Sequence, residues 1–226
     1  MKNTYLWANS GKTLEEIVMN IDYRRATAMD AEGVYEVAQS ISKSAMVEQG
    51  ATEETLSQQG FLLYPLSADD TSKPNYKERI ELSSHFWVAA DKDSGRILAF
   101  MMAYTFQQYK QMTQLTKNDI GVLDFFTGPG EDKAVYSEDT IYIAQIGTHA
   151  DLKRQGIMRG LAREAFKHTG NSPVALGEVA QQPLRNIASS EFFLNMGFTM
   201  PWKRPKDDGA RVSGTFMRTF PTMSHE

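Results

Sequence analysis

Four stretches, Tyr23 to Thr27, His85 to Ala90, Arg96 to Tyr104 and Thr140 to Thr148, gather β-branched and aromatic residues between turn formers and predict strands. Asp91 to Gly95 separate the middle two by a short polar turn, which predicts an antiparallel hairpin. After the first strand, Asp30 is positioned to cap a helix whose apolar residues Val34, Val37, Ala38 and Ile41 recur at helical spacing. A second short helix is predicted from Thr52 to a stop at Gly60. Between Gly156 and His168 two apolar ladders, Ile157, Leu161, Ala165 and Met158, Ala162, Phe166, run beside a cationic one of Arg159, Arg163 and Lys167. That is an amphipathic helix.

Val174 to Val179 then reads as a strand, and Leu184 to Met196 as a helix closed by Gly197 in the left-handed position. Phe198 to Trp202 and Ser213 to Phe220 predict a last hairpin around Asp207, Asp208 and Gly209. This order of strand, helices, three strands, helix, strand, helix and two strands predicts an α/β (α+β) sandwich on one central sheet. Residues 1–20 read as an appended arm with a candidate helix at Thr13 to Asn20, and residues 21–226 as one domain.

Composition narrows the function classes. With 226 residues and 41% hydrophobic content the chain can build one ordinary core. It has no cysteine, which removes disulfides, thiolate catalysis and Cys-ligated metal sites. The first ten residues lack an apolar core, and no run of about 18 apolar residues occurs, so a cytoplasmic protein without membrane attachment is expected. A net charge of −4 argues against a nucleic-acid or anionic-membrane partner and suits a cationic substrate. The four histidines, His85, His149, His168 and His225, have no ligand spacing, so no metal is expected. The 12 methionines are scattered and read as core filling.

The chemistry concentrates between Ile143 and Leu161, which runs strand, loop, helix. Lys153 and Arg154 precede Gly156 at the first helical turn, so free amides and the positive end of the helix converge there. A diphosphate suits such a point, and Gly156 lets the backbone come close to it, while Gly160 lets the helix approach whatever packs over it. Taken alone, the turn is equally readable as a basic helix start with a glycine in it. Neither GxGxxG nor GxxxxGK[ST] is present, which removes the two commonest nucleotide loops.

These residues resemble the GNAT superfamily of acyl-CoA-dependent N-acyltransferases, whose signature is Arg or Gln, two residues, Gly, one residue, Gly or Ala. Lys153 stands at the first position, Gly156 matches the central glycine, and Met158 takes the last, adding bulk near the diphosphate. Downstream, Asn186, Phe192, Phe193, Gly197 and Phe198 resemble the family's second motif, and the likeness covers about Tyr23 to Phe220. The resemblance implies a mostly antiparallel mixed sheet in which the strands at 140–148 and 174–179 splay apart. It implies acetyl-CoA as donor, with pantetheine on the main chain of Ile146 and Thr148 and beside Asn186. The diphosphate falls on the amides of Arg154, Gln155, Gly156, Met158 and Arg159, and Gly147, Lys153, Ile157 and Phe193 complete the implied donor site.

Acyl transfer to an amine needs a neutral amine, a polarised thioester carbonyl and a proton for the departing thiolate. Phe193 occupies the position of the family's frequent general acid, a tyrosine, and cannot donate. Tyr142 and Tyr104 are the candidate acids, each also readable as a packed strand tyrosine. Glu178, on the strand that should splay, is the candidate base, its alternative being a solvated carboxylate. His149 is a weaker candidate, and His85 reads as structural.

The connection from Tyr104 to Thr140 is long enough to be a lid or binding segment. It carries Asp119, Asp124, Glu131, Asp132, Glu138 and Asp139 against Lys110, Lys117 and Lys133, with Phe125, Phe126, Gly128 and Gly130 as an aromatic turn. Either it steers a cationic acceptor or it is a solvated acidic loop. The stretch from Gly50 to Leu66, with Phe61, Leu62, Leu63 and Tyr64, is expected to form the opposite wall. A small-molecule amine is the expected acceptor, with a peptide or protein amine, or a CoA-binding regulator without turnover, as alternatives. A homodimer stays open.

Overall fold

Asp91 to Gly95 turn the chain as their composition predicts. The Asp91 carboxylate accepts hydrogen bonds from the amides of Asp93 at 2.8 Å and Ser94 at 3.3 Å, and Gly95 adopts φ 73°. In the computed structural model, which describes residues 3–5, 17–113, 138–169, 172, 174–205 and 210–220, this turn joins β4 (His85–Asp91) to β5 (Ile97–Thr105). Around that hairpin lies a seven-stranded sheet completed by β3 (Ile21–Arg25), β6 (Ile141–Thr148), β7 (Val174–Gln182), β8 (Thr199–Pro205) and β9 (Val212–Thr219). Its order is β3-β4-β5-β6-β7-β9-β8, antiparallel throughout except for the parallel contact of β6 with β7.

Helices cover both faces. α1 (Ala31–Ser40) buries Val34, Val37 and Ala38 on one side together with Phe86, Val88 and Phe100. α6 (Ile157–Phe166) and α7 (Ile187–Asn195) pack on the other, where Ile157, Leu161, Ala165 and Phe193 meet Trp87, Ala89 and Met101. With both faces covered, β5 is buried at every position but its last, which accounts for its unbroken apolar run. α3 (Glu53–Gln59) begins with Thr52, whose side chain accepts from the Thr55 amide, and ends at Gly60 with φ 76°.

Two local expectations are corrected. Asp30 does not cap α1. Its carboxylate accepts from both Arg24 guanidinium nitrogens at 2.7 and 2.8 Å and from the Thr27 amide at 2.7 Å, closing a 3-10 turn ahead of the helix. Burial opposes ionisation of that carboxyl, but the bonds from Arg24 and Thr27 outweigh it and hold its pKa below the usual range. The arm helix is also wrong at its C-terminal end. Ile17–Met19 is a strand, β2, paired antiparallel with β1 (Asn3–Tyr5), as suits a run of Ile and Val, while residues 13–16 lie outside the described residues.

Three helices were not expected from periodicity: α2 (Lys43–Glu48), α4 (Tyr76–Leu82) and α5 (Phe106–Thr113). Each spans about two turns, too little for a 3.6-residue period to emerge. Local capping starts the first two, since Ser42 accepts from the Ala45 amide and Asn75 from that of Glu78.

Candidate active site

After β6 the chain passes through a 3-10 turn at Ala150–Leu152 and enters α6 by way of Lys153 to Gly156. Arg154 has φ 66° and Gly156 φ 78°, two left-handed residues within three, just ahead of the first-turn amides of α6 that a helix leaves without intrahelical partners. A Cβ on Gly156 would meet no atom within 4 Å, so this glycine serves its backbone angle and the space beside it is open. Gly160 has the opposite reason: a Cβ there would collide with the Tyr23 hydroxyl, so the helix lies directly on β3. Arg154 and Arg159 are exposed at the turn, which fronts a cavity of about 660 Å3 reaching Ile146, Thr148, Met158 and Phe192. Gly147 and Ile157 line it too, and the buried Gln155 Oε1 has no hydrogen-bond partner there.

Next to the turn the sheet divides. β6 and β7 pair only through Ile141 with Ala175, Tyr142 with Leu176, and Ile143 with Gly177. Beyond that point β6 continues against β5 as far as Thr148, and β7 against β9 as far as Gln182, so their facing edges run on unpaired by strand. Phe193 marks the fork. Its ring is 2% exposed, packs at 4.9 Å from Phe198 and 5.3 Å from Phe216, and stands 2.6 Å from where a Cβ on Gly177 would lie. A second cavity of about 200 Å3 fills the fork, bounded by Ala144, Ile146, Glu178, Phe193 and the wall from Phe61 to Tyr64.

The fork assembles Ile146, Glu178, Asn186 and Phe193, and the turn assembles Lys153 to Arg159. Asn186 is already engaged twice. Its Oδ1 accepts from the Ser189 amide at 3.0 Å, capping α7, and its Nδ2 donates to the Phe61 carbonyl at 3.0 Å. Lys153 is half-buried, with its ammonium donating to the Gly60 carbonyl at 3.3 Å, and burial together with the Arg154 charge lowers its pKa.

Other candidates stand apart from both cavities. Tyr142 is 7% exposed and meets Tyr109 edge-on at 5.2 Å, and Tyr104 is a core residue at 1% exposure. Neither lines either of these two cavities among the described residues. His149 is turned toward Arg96, whose guanidinium donates to Nε2 at 3.0 Å, while Nδ1 accepts from the Asp151 amide at 3.4 Å and lies 3.5 Å from the Asp151 carboxylate. Burial and Arg96 both lower its pKa. His85 is buried on β4, and burial and Arg25 push its pKa down to about 4. Of the connection from Tyr104 to Thr140 assigned to acceptor binding, Phe106–Thr113 forms α5, residues 114–137 lie outside the described residues, and Glu138 and Asp139 are exposed turn residues. Among the described residues no three His, Asp or Glu side chains gather to hold a metal ion. Nor is any helix among them long and apolar enough to cross a membrane.

Sequence reasoning missed two parts of the site. Gln145 accepts from the Tyr76 hydroxyl at 2.9 Å and donates to the Tyr64 carbonyl at 3.0 Å, fixing the wall over the fork. Gly60 and Phe61 contribute carbonyls, for which a sequence carries no residue-specific signal.

The model of the acetyltransferase (GNAT) family matches residues 52–198. No curated protein matches the sequence. Among solved structures, the chain resembles the ribosomal-protein-S18-alanine N-acetyltransferase of Escherichia coli at 12% identity and TM-score 0.54, covering 91% of this chain and 97% of that one. It resembles the polyamine N-acetyltransferase of Drosophila melanogaster, described as forming N-acetylagmatine, at 13% identity and TM-score 0.58, covering 89% and 100%. The PaiA N-acetyltransferase of Thermoplasma acidophilum, solved with coenzyme A, is similar at 15% identity and TM-score 0.53, covering 89% and 100%. At such identities these likenesses show the fold, while the family match spans 147 of 226 residues, from 52 to 198. The anion turn, the forked sheet and the match together make this chain a member of the acetyltransferase (GNAT) family, N-acetyltransferases that draw on acetyl-CoA.

Proposed function

We propose that the protein acetylates a small primary amine by direct attack within a ternary complex, with the diphosphate of acetyl-CoA at residues 153–159 and its pantetheine arm in the fork. The observation that carries this is the halt of β6–β7 pairing at Ile143 and Gly177, beside a turn rich in free amides and cations. Buried main-chain groups require partners, and the two amides of a pantetheine arm supply them to the open edge of β6. The donor brings an activated acyl group.

The unpaired edge of residues 144–148 binds and orients the arm, and its N–H groups polarise the acyl carbonyl. Glu178 is the sole acidic or basic side chain lining the smaller cavity among the described residues. A carboxylate there attracts an ammonium and then takes its proton, which is why a small cationic amine fits this reading. Phe193 has no proton to give, so the reading assigns protonation of the leaving sulfur to water. Residues 21–226 form the catalytic domain in this reading, with 1–20 as an arm and the cytoplasm as the compartment.

Calorimetry with acetyl-CoA, followed by thiol release across a panel of small amines and peptides, tests the proposal. Glu178→Gln should lower turnover on the best amine by ~100-fold or more. A variant with wild-type turnover rejects Glu178 as base.

A further inference from the structure

Two consecutive carbonyls, those of Gly60 and Phe61, are held from opposite flanks of the site. Lys153 of the anion turn donates to the first at 3.3 Å, and Asn186 at the head of α7 donates to the second at 3.0 Å. Ser57 adds a bond to the Arg185 carbonyl at 2.6 Å, and a Cβ on Gly60 would stand 3.1 Å from that of Ala188, so this end of the wall is wedged against α7. The far end is fixed elsewhere, by the backbone bonds of Leu62 to Ile41 and Lys43 and by Gln145 on the Tyr64 carbonyl. Phe61, Ile146 and Ser189 line both cavities, so Phe61 is part of the partition between the donor cavity and the fork.

Lys153 differs from the other cations of the turn. Arg154 and Arg159 are exposed, whereas the Lys153 ammonium is half-buried and bonded to a neutral carbonyl of that partition. An ammonium carries three donors, so a diphosphate can take one while Gly60 keeps another, and a bond to an ionised oxygen is the stronger kind. We propose that Lys153 is a positioning residue that ties the donor's diphosphate to the Gly60–Phe61 end of the partition, so that donor occupancy tightens the wall against which the amine must sit. Burial and the Arg154 charge disfavour the free ammonium, and an arriving anion offsets both by stabilising its charged form. The tie makes donor and acceptor binding reciprocal, each strengthening the other by the same factor. The inference rests on the diphosphate assignment above, and the test separates the two.

Hydrogen exchange of the full chain, with and without coenzyme A, reads both segments at once. In the wild type, exchange should slow over residues 154–160 and over 60–66. In Lys153→Gln, which keeps a donor for Gly60 but no charge for the diphosphate, slowing should persist at 154–160 and fall about tenfold at 60–66. Lys153→Arg, a cation with spare donors, should restore it. Slowing at 154–160 alone in the wild type, or undiminished coupling in Lys153→Gln, overturns the tie. No slowing at 154–160 rejects the donor site itself.

Discussion

At Gly156 two consequences of a side chain can be separated. The residue has φ 78°, and a Cβ there would touch nothing within 4 Å. Gly156→Ala therefore costs only the left-handed backbone, ~1–2 kcal/mol, and should lower the melting temperature by a few degrees with modest loss of coenzyme A affinity. Gly156→Asp carries the same strain and adds a carboxylate at the proposed diphosphate position, so calorimetry should find binding abolished. Equal losses in the two variants would assign the effect to backbone strain. The shape of this turn was legible in the sequence, since Gly156 opens a helix whose ladders repeat, but what it binds was not, because a basic helix start with a glycine reads the same way. The carbonyls of Gly60 and Phe61 were not, since any residue type supplies one.

Elements were legible where their pattern had room to repeat. The strands of the central hairpin and the ladders of α6 span seven or more residues each, and they appear within one or two residues of expectation. The helices of six to eight residues at 43–48, 76–82 and 106–113 escaped, because about two turns leave no period to read. The fork came from resemblance rather than pattern: nothing in the alternation of β6 says that its partner leaves after three residues. What keeps the fork in shape is a missing side chain. Gly177→Ala would drive a methyl to within 2.6 Å of the Phe193 ring, which is locked between Phe198 and Phe216. Such overpacking costs ~1–3 kcal/mol. Thermal unfolding should register it, and coenzyme A affinity should fall with it; an unchanged affinity would mean that the ring does not set the width of the fork.

For the molecule as a whole, acid is the predictable threat. His85 is buried with its pKa pushed down to about 4, below the ordinary histidine value of roughly 6.5. Between those two pH values the unfolded chain binds the proton and the folded one does not, so stability falls as pH drops from about 6.5 to about 4, by up to ~3 kcal/mol. His85→Gln should flatten the melting temperature over that window, and a slope like that of the wild type would acquit the residue. Below the window the Asp30 carboxyl, held down by Arg24 and Thr27, begins to protonate and stability falls again. The sheet has its own division. Its first four strands come from residues 21–148 and its last three from 174–219, and only the short parallel seam joins them. Each half is a contiguous stretch of chain with antiparallel bonding of its own, so the seam works as a spine with two covers. A molecule lying between the covers would be bound like a page, and the donor proposed above would finish a sheet that the strands leave open.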